Sequence, residues 1–204
     1  MTGQLGSRPV AVLIGPPGSG KSTVGPLLAG RLGVGFLDTD DEVASVARKP
    51  VGDIFVEDGE PAFRALERAV VERALHYYGV VALGSGAVAD EQTQRLLAGH
   101  LMIYLEAGFN AVAKRSGLSR PRIPVPGNPR GMLRAMLEQR RPLYERLAVV
   151  TIGTDDLSPD EVALEIANEQ QLAVGRVRWI PVDAGAGPRR HGSAGHDPNA
   201  EQSR

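Results

Sequence analysis

Residues 15–22 read Gly15-Pro16-Pro17-Gly18-Ser19-Gly20-Lys21-Ser22, which fits the phosphate-binding pattern G-x-x-x-x-G-K-[ST]. The apolar run Val10-Ala11-Val12-Leu13-Ile14 precedes it and the helix-like Thr23-Val24-Gly25-Pro26-Leu27-Leu28-Ala29 follows. Strand, glycine-rich turn and helix in that order decide the fold. Glycines let the backbone wrap so that several N–H groups point inward at phosphate oxygens. The start of the following helix adds partial positive charge. Gly15, Gly18, Ser19, Gly20 and Thr23 are therefore expected to cradle the phosphates, with Lys21 reaching the β/γ-phosphates and the Ser22 hydroxyl placed for Mg²⁺. The expected ligand is a nucleoside triphosphate. Pro26 conflicts with the helix, because its missing N–H leaves the Ser22 carbonyl without a partner and predicts a kink.

Working outward, short apolar runs alternate with helical patterns. Strands are expected at Val10–Ile14, Gly35–Leu37, Val80–Leu83, Leu101–Leu105 and Ala148–Ile152. Helices are expected at Lys21–Leu32, Asp40–Ala47, Pro61–Tyr77, Glu91–Ala98, Phe109–Arg115, Gly131–Leu147 and Pro159–Leu172. This alternation predicts an α/β protein of the phosphate-loop NTPase type: a three-layer α/β/α arrangement around a five-stranded parallel sheet. Leu66, Val70, Ala74 and Leu75 form one apolar stripe, and Leu133, Met136 and Leu137 another, both read as core. Thr39-Asp40-Asp41-Glu42 and Ser158-Pro159-Asp160-Glu161 both fit the capping box, the second with proline at the first helical position.

Of 204 residues, 42% are apolar and 23% charged, which suits a globular domain. A formal net charge of −1 provides no global field toward nucleic acid or anionic membrane. The chain has no cysteine, which excludes disulfides, thiolate metal sites and a cysteine nucleophile. No apolar run approaches a membrane span and the first residues lack a secretory pattern, so a cytoplasmic protein is expected. Gly117 to Arg130 holds four prolines and two glycines, with Arg120, Arg122 and Arg130 among them, and reads as a mobile segment of about 117–130. From Gly175 to Arg204 apolar periodicity is lost. That stretch reads as a disordered tail behind a single domain over 1–174.

Further side chains cluster at the expected carboxyl edge of the sheet, where open α/β folds bind ligands. Asp38 and Asp40 follow the second strand; they suit a Mg²⁺ shell and a substrate hydroxyl, or merely complement a helix dipole. Arg64 lies early in a helix, where a cation opposes the dipole. Partnership with Glu60 or Glu67 explains it, and so does an anionic substrate. Gly84-Ser85-Gly86 ends the third strand and is either a simple turn or a place where a ligand approaches backbone. Arg140 and Arg141 precede Pro142, and guanidinium groups grip carboxylates two-pronged; a salt-bridged surface helix is the plain alternative.

Taken in order, the motifs GPPGSGKST (Gly15–Thr23), FLDTD (Phe36–Asp40), DGEPAFRALE (Asp58–Glu67), the turn Gly84–Gly86 and RRPLYE (Arg140–Glu145) resemble those of the shikimate kinase family. The resemblance runs from about Val10 to Gln170. It implies a fold like that of nucleoside monophosphate kinases, with a mobile lid at 117–130. It also implies transfer of a phosphoryl group from ATP to the 3-hydroxyl of shikimate, with Mg²⁺, in a monomer. By that resemblance Lys21, Asp40 and the lid's Arg122 are catalytic, and Ser22 and Asp38 serve the metal. Arg115, Arg122 and Pro159 bind nucleotide. Asp40, Arg64, Gly84, Ser85, Gly86 and Arg140 bind shikimate. Two departures stand out. The family turn is Gly-Gly-Gly, so Ser85 would cost about 1–2 kcal/mol if its position requires positive φ. Arg120 competes with Arg122 for the lid role. Rival readings are a kinase for an aminoshikimate- or gluconate-like acid, and a nucleotide-binding module that has lost catalysis.

Overall fold

The computed structural model describes residues 8–116 and 128–176. Five parallel strands, β1 (Ala11–Ile14), β2 (Gly35–Asp38), β3 (Gly79–Ala82), β4 (Met102–Glu106) and β5 (Val150–Gly153), form one sheet in the order β2-β3-β1-β4-β5. The register pairs Leu13 with both Ala82 and Ile103, Asp38 with Ala82, and Glu106 with Gly153. The carboxyl ends of all five strands therefore line one edge.

Alternation along β1 sends Ala11 and Leu13 to one face and Val12 and Ile14 to the other, and all four are buried. On the first face they meet Val24 and Leu28 of α1 (Lys21–Leu32) and Val162 and Ile166 of α8 (Pro159–Arg176). On the second they meet Val71 and Ala74 of α4 (Gly59–Ala74), Leu97 of α5 (Glu91–Leu97) and Tyr144 of α7 (Pro129–Leu147). The three-layer parallel architecture expected from the alternation is present. Among the described residues no helix is long and apolar enough to cross a membrane.

Boundaries differ where local chemistry overrides periodicity. The helix α2 (Thr39–Ala47) is not closed by a capping box at Thr39. Its N-cap is Asp38, whose carboxylate accepts from the Asp40 N–H, while Glu42 pairs with Arg73. The box at Ser158 does form: the Ser158 N–H donates to Glu161 at 2.8 Å and the Glu161 N–H to the Ser158 hydroxyl at 3.3 Å. A helix α3 (Val51–Glu57) appears where none was expected, begun at Pro50 after Arg48 ends α2 in a left-handed conformation at φ 56°. Its Ile54 packs on Val43 and on Phe63 and Val70 of α4, so the α4 stripe serves two clusters rather than one. A 3₁₀ turn at Ala87–Ala89 follows β3, and α6 (Phe109–Arg115) follows β4. Leu133, Met136 and Leu137 pack on Val112 of α6, as the second stripe requires.

The helix α1 passes Pro26 as one continuous element, so no break accompanies the missing N–H. Two stretches read as irregular contain helix. The helix α7 starts at Pro129, capped by the Asn128 side chain on the Gly131 N–H at 2.9 Å, and α8 continues to Arg176. Residues 117–127, including Arg120 and Arg122, and the stretch from 177 onward lie outside the described residues.

Candidate active site

The phosphate loop leaves β1 with Gly15, Gly18 and Gly20 at φ 149°, 72° and 101°, a backbone path closed to side chains with Cβ atoms. A Cβ on Gly15 would also stand 2.6 Å from the Leu105 carbonyl oxygen of β4. Gly20 caps α1 with no side-chain acceptor, which leaves the helix start without a capping side chain, as an anion site requires. Lys21 is 9% exposed and donates to the carbonyls of Gly15 at 2.8 Å and Pro16 at 3.0 Å. Burial lowers its pKa to about 8 against the opposing pull of Asp40 and Asp38.

Asp38 works with both oxygens. One accepts from the Ser22 hydroxyl at 2.6 Å, the other from the Asp40 N–H at 3.0 Å. The strand end, the first turn of α1 and the cap of α2 are thereby locked together. Ser22 and Asp38 form a hard-oxygen pair, and among the described residues no group of three or more His, Cys, Asp or Glu could cage a metal. That donor set fits Mg²⁺, which keeps waters and phosphate oxygens and takes few protein ligands.

The turn after β3 is the second focus. The Gly84 N–H donates to the Thr39 hydroxyl at 2.9 Å. A Cβ on Gly84 would collide with the Asp40 carboxylate and stand 3.2 Å from a Glu67 oxygen, and one on Gly86 would stand 2.8 Å from an Arg64 nitrogen. The absence of side chains here lets three charged groups reach the turn. Desolvation and the neighbouring Asp38 push the Asp40 carboxyl above its usual range, with Lys21 opposing.

Arg64 pairs with Glu67 at 2.6 Å and with Glu60 at 3.4 Å, so the plain explanation of that cation holds. It does not exclude the other, because the guanidinium also abuts the turn. Glu67 is 2% exposed, and burial raises its pKa in spite of Arg64. From α7, Arg140 donates to the Ser85 carbonyl at 3.4 Å and the Tyr144 hydroxyl to the same oxygen at 2.7 Å. Arg64 and Arg140 thus meet one turn from two helices. Ser85 itself is unstrained: Arg48 is the one non-glycine residue with positive φ among the described residues. The 1–2 kcal/mol penalty expected for this departure does not arise.

Arg115 ends α6 and staples two segments. It donates to the Gly18 carbonyl at 3.2 Å, and to the hydroxyl and carbonyl of Thr154 at 3.1 and 2.6 Å. Pro159 opens α8 a few residues beyond Thr154 and is exposed. Thr23 is exposed in the first turn of α1, and Ser19 is buried in the loop. Arg122 lies outside the described residues. Pro159 apart, the structure groups the remaining expected residues at two foci on one sheet edge.

Sequence reading undervalued Glu67, Thr39, Thr154 and Tyr144. Glu67 carried a readable signal: an acid on the helix face of Phe63, Val70, Val71 and Ala74, all buried. A cavity of about 390 Å³ between β4, α6 and α7 is lined by Tyr104, Phe109, Leu137, Arg141 and Tyr144. It touches the phosphate loop through Pro16, and none of the expected substrate residues lines it.

Comparison with known proteins gives a consistent picture. A family model described as shikimate kinase matches residues 17–171. The chain is 56% identical over 170 residues to a shikimate kinase of Thermobifida fusca (strain YX), covering 83% of this chain and 99% of that one. It is 48% identical over 160 residues to a shikimate kinase of Salinispora arenicola (strain CNS-205), covering 78% and 96%. Among solved structures, shikimate kinase from Acinetobacter baumannii in complex with shikimate matches with a TM-score of 0.72 at 31% identity, over 84% of this chain and 96% of that one.

Proposed function

Since the chain belongs to the shikimate kinase family, we propose that it transfers the γ-phosphoryl group of ATP to the 3-hydroxyl of shikimate, giving shikimate 3-phosphate and ADP. The observation that carries this reading is the meeting of Arg64 and Arg140 at the Gly84–Gly86 turn, beside Asp40. Two guanidinium groups at one turn suit a carboxylate, and an acid next to them suits the hydroxyls of the same small molecule.

The roles follow from the chemistry of each group. Lys21 exchanges the carbonyls of Gly15 and Pro16 for the β/γ-phosphate oxygens, a stronger set of acceptors for a desolvated cation. The loop N–H groups and the start of α1 hold the remaining phosphate oxygens. Ser22 holds Mg²⁺, with Asp38 orienting it; when bound, the ion neutralises charge on the phosphate oxygens. Asp40, with its raised pKa, accepts the proton of the attacking hydroxyl as that oxygen bonds to the γ-phosphorus and the bond to the β-phosphate oxygen breaks. Arg64 and Arg140 clamp the shikimate carboxylate, and Gly84, Ser85 and Gly86 floor the ring. Arg115 and Pro159 bracket the adenine. Arg122 takes the γ-phosphate on the strength of the resemblance alone.

Little covalent chemistry is asked of the protein, so positioning dominates. The test is ADP release from ATP with Mg²⁺, with and without shikimate, and with quinate, gluconate and aminoshikimate in parallel. Strong stimulation by shikimate alone is expected. Stimulation by another acid and not shikimate, or by none, would overturn the reading.

A further inference from the structure

Tyr144 has no part in the transfer described above, yet it is 1% exposed and among the largest fully buried side chains. Its ring stacks on Tyr104, with centroids 5.2 Å apart and planes 21° from parallel. The hydroxyl leaves that apolar packing at one point, to donate to the Ser85 carbonyl at 2.7 Å. Burial pushes its pKa up to about 12 against the nearby Arg140 charge, so it stays a neutral donor. Arg140, one turn earlier on α7, offers the same oxygen a longer bond of 3.4 Å. The other end of the turn is fixed separately, by Thr39 on the Gly84 N–H.

We propose that Tyr144 is a positioning residue that keeps the Gly84–Gly86 turn bonded to α7 while Arg140 transfers from the Ser85 carbonyl to the carboxylate of the substrate. The inference rests on the assignment of Arg140 as a carboxylate clamp. A carbonyl oxygen has two lone pairs, so both donors share it at rest. When Arg140 leaves, a carbonyl without Tyr144 would lose its last protein donor in a half-buried place, and the loss would be charged against substrate binding. With Tyr144 in place the carbonyl keeps one donor when Arg140 changes partner. The two donors differ in the way this division of labour requires: the short bond comes from a neutral group locked by its ring stack. The long one comes from a charged, half-buried side chain with a better acceptor to gain.

The conservative variant is Tyr144→Phe, which preserves the ring and its stack and removes one oxygen. Calorimetric binding and steady-state kinetics of the full chain should show shikimate Kd and KM raised roughly threefold to tenfold. ATP Kd and kcat should stay within about twofold. In an Arg140→Gln background, where no exchange is left to protect, the same change should shift shikimate affinity by less than about twofold. Unchanged shikimate affinity in Tyr144→Phe overturns the proposal. Equal losses for shikimate and ATP also overturn it, because they mark a merely structural tyrosine. A wild type that ignores shikimate overturns this inference and the proposed function together, whereas a wild type that binds it as tightly as Tyr144→Phe does overturns this inference alone.

Discussion

Lys21 carries charge where burial makes charge costly, and its pKa is lowered to about 8. Under the proposed role, in which the charged form holds the phosphates, ATP affinity should weaken as pH rises through about 8; the trend should vanish in Lys21→Met, checked by calorimetry from pH 7 to 9. The sign for stability is opposite. A depressed lysine pKa means that the unfolded chain binds more protons between about 8 and 10.5, so in this window the ligand-free protein gains stability with rising pH. Asp40 is displaced the other way, toward the protonated form. Asp40→Asn should lower kcat on the order of 10²–10⁴-fold. ATP Kd should move far less than kcat, because the carboxylate abuts the Gly84 turn and acts on the loop only through the charge of Lys21; single-turnover and binding measurements would separate the two. Unchanged turnover would remove Asp40 from the reaction.

At the level of elements, the parts written in local chemistry were legible and the parts written in tertiary contacts were not. The phosphate loop, the five strands and the box at Ser158 are announced by patterns a few residues long, so the sequence displays them. Ser158→Ala should accordingly cost about 1 kcal/mol by urea unfolding, through the loss of an N-cap acceptor at α8. The cap of α2 was misplaced because Asp38 and Thr39 are both favoured N-cap residues and only Thr39 stands three before a Glu. The choice was made by Gly84, which arrives from far along the chain to take the Thr39 hydroxyl. The helix α3 was missed for a similar reason: seven residues behind a proline show little periodicity, and Ile54 declares its role through Val43 and Val70. Glu67 and Tyr144 were half legible. Their burial follows from the stripe, but their partners at the turn do not. The departure at Ser85 was visible and its consequence was not, since φ is a property of the folded backbone.

For the whole molecule, both faces of the sheet are closed by helices drawn from the described residues. Deleting residues 177–204 should therefore leave the melting temperature and kcat unchanged within error. A fall of several degrees would show that the deleted stretch packs on the domain. The strand order has a different consequence, for the timing of synthesis. The first strand made, β1, is the middle of the finished sheet, flanked by β3 and β4, whose residues are added some 70 to 90 positions later. While the chain is being made, Ala11–Ile14 has no sheet neighbour to hide against until Gly79 and beyond have left the ribosome. The phosphate loop waits longer still, since Gly15 packs on the Leu105 carbonyl. A nascent chain halted before β4 thus carries the complete phosphate-loop motif in its sequence without the strand that backs Gly15.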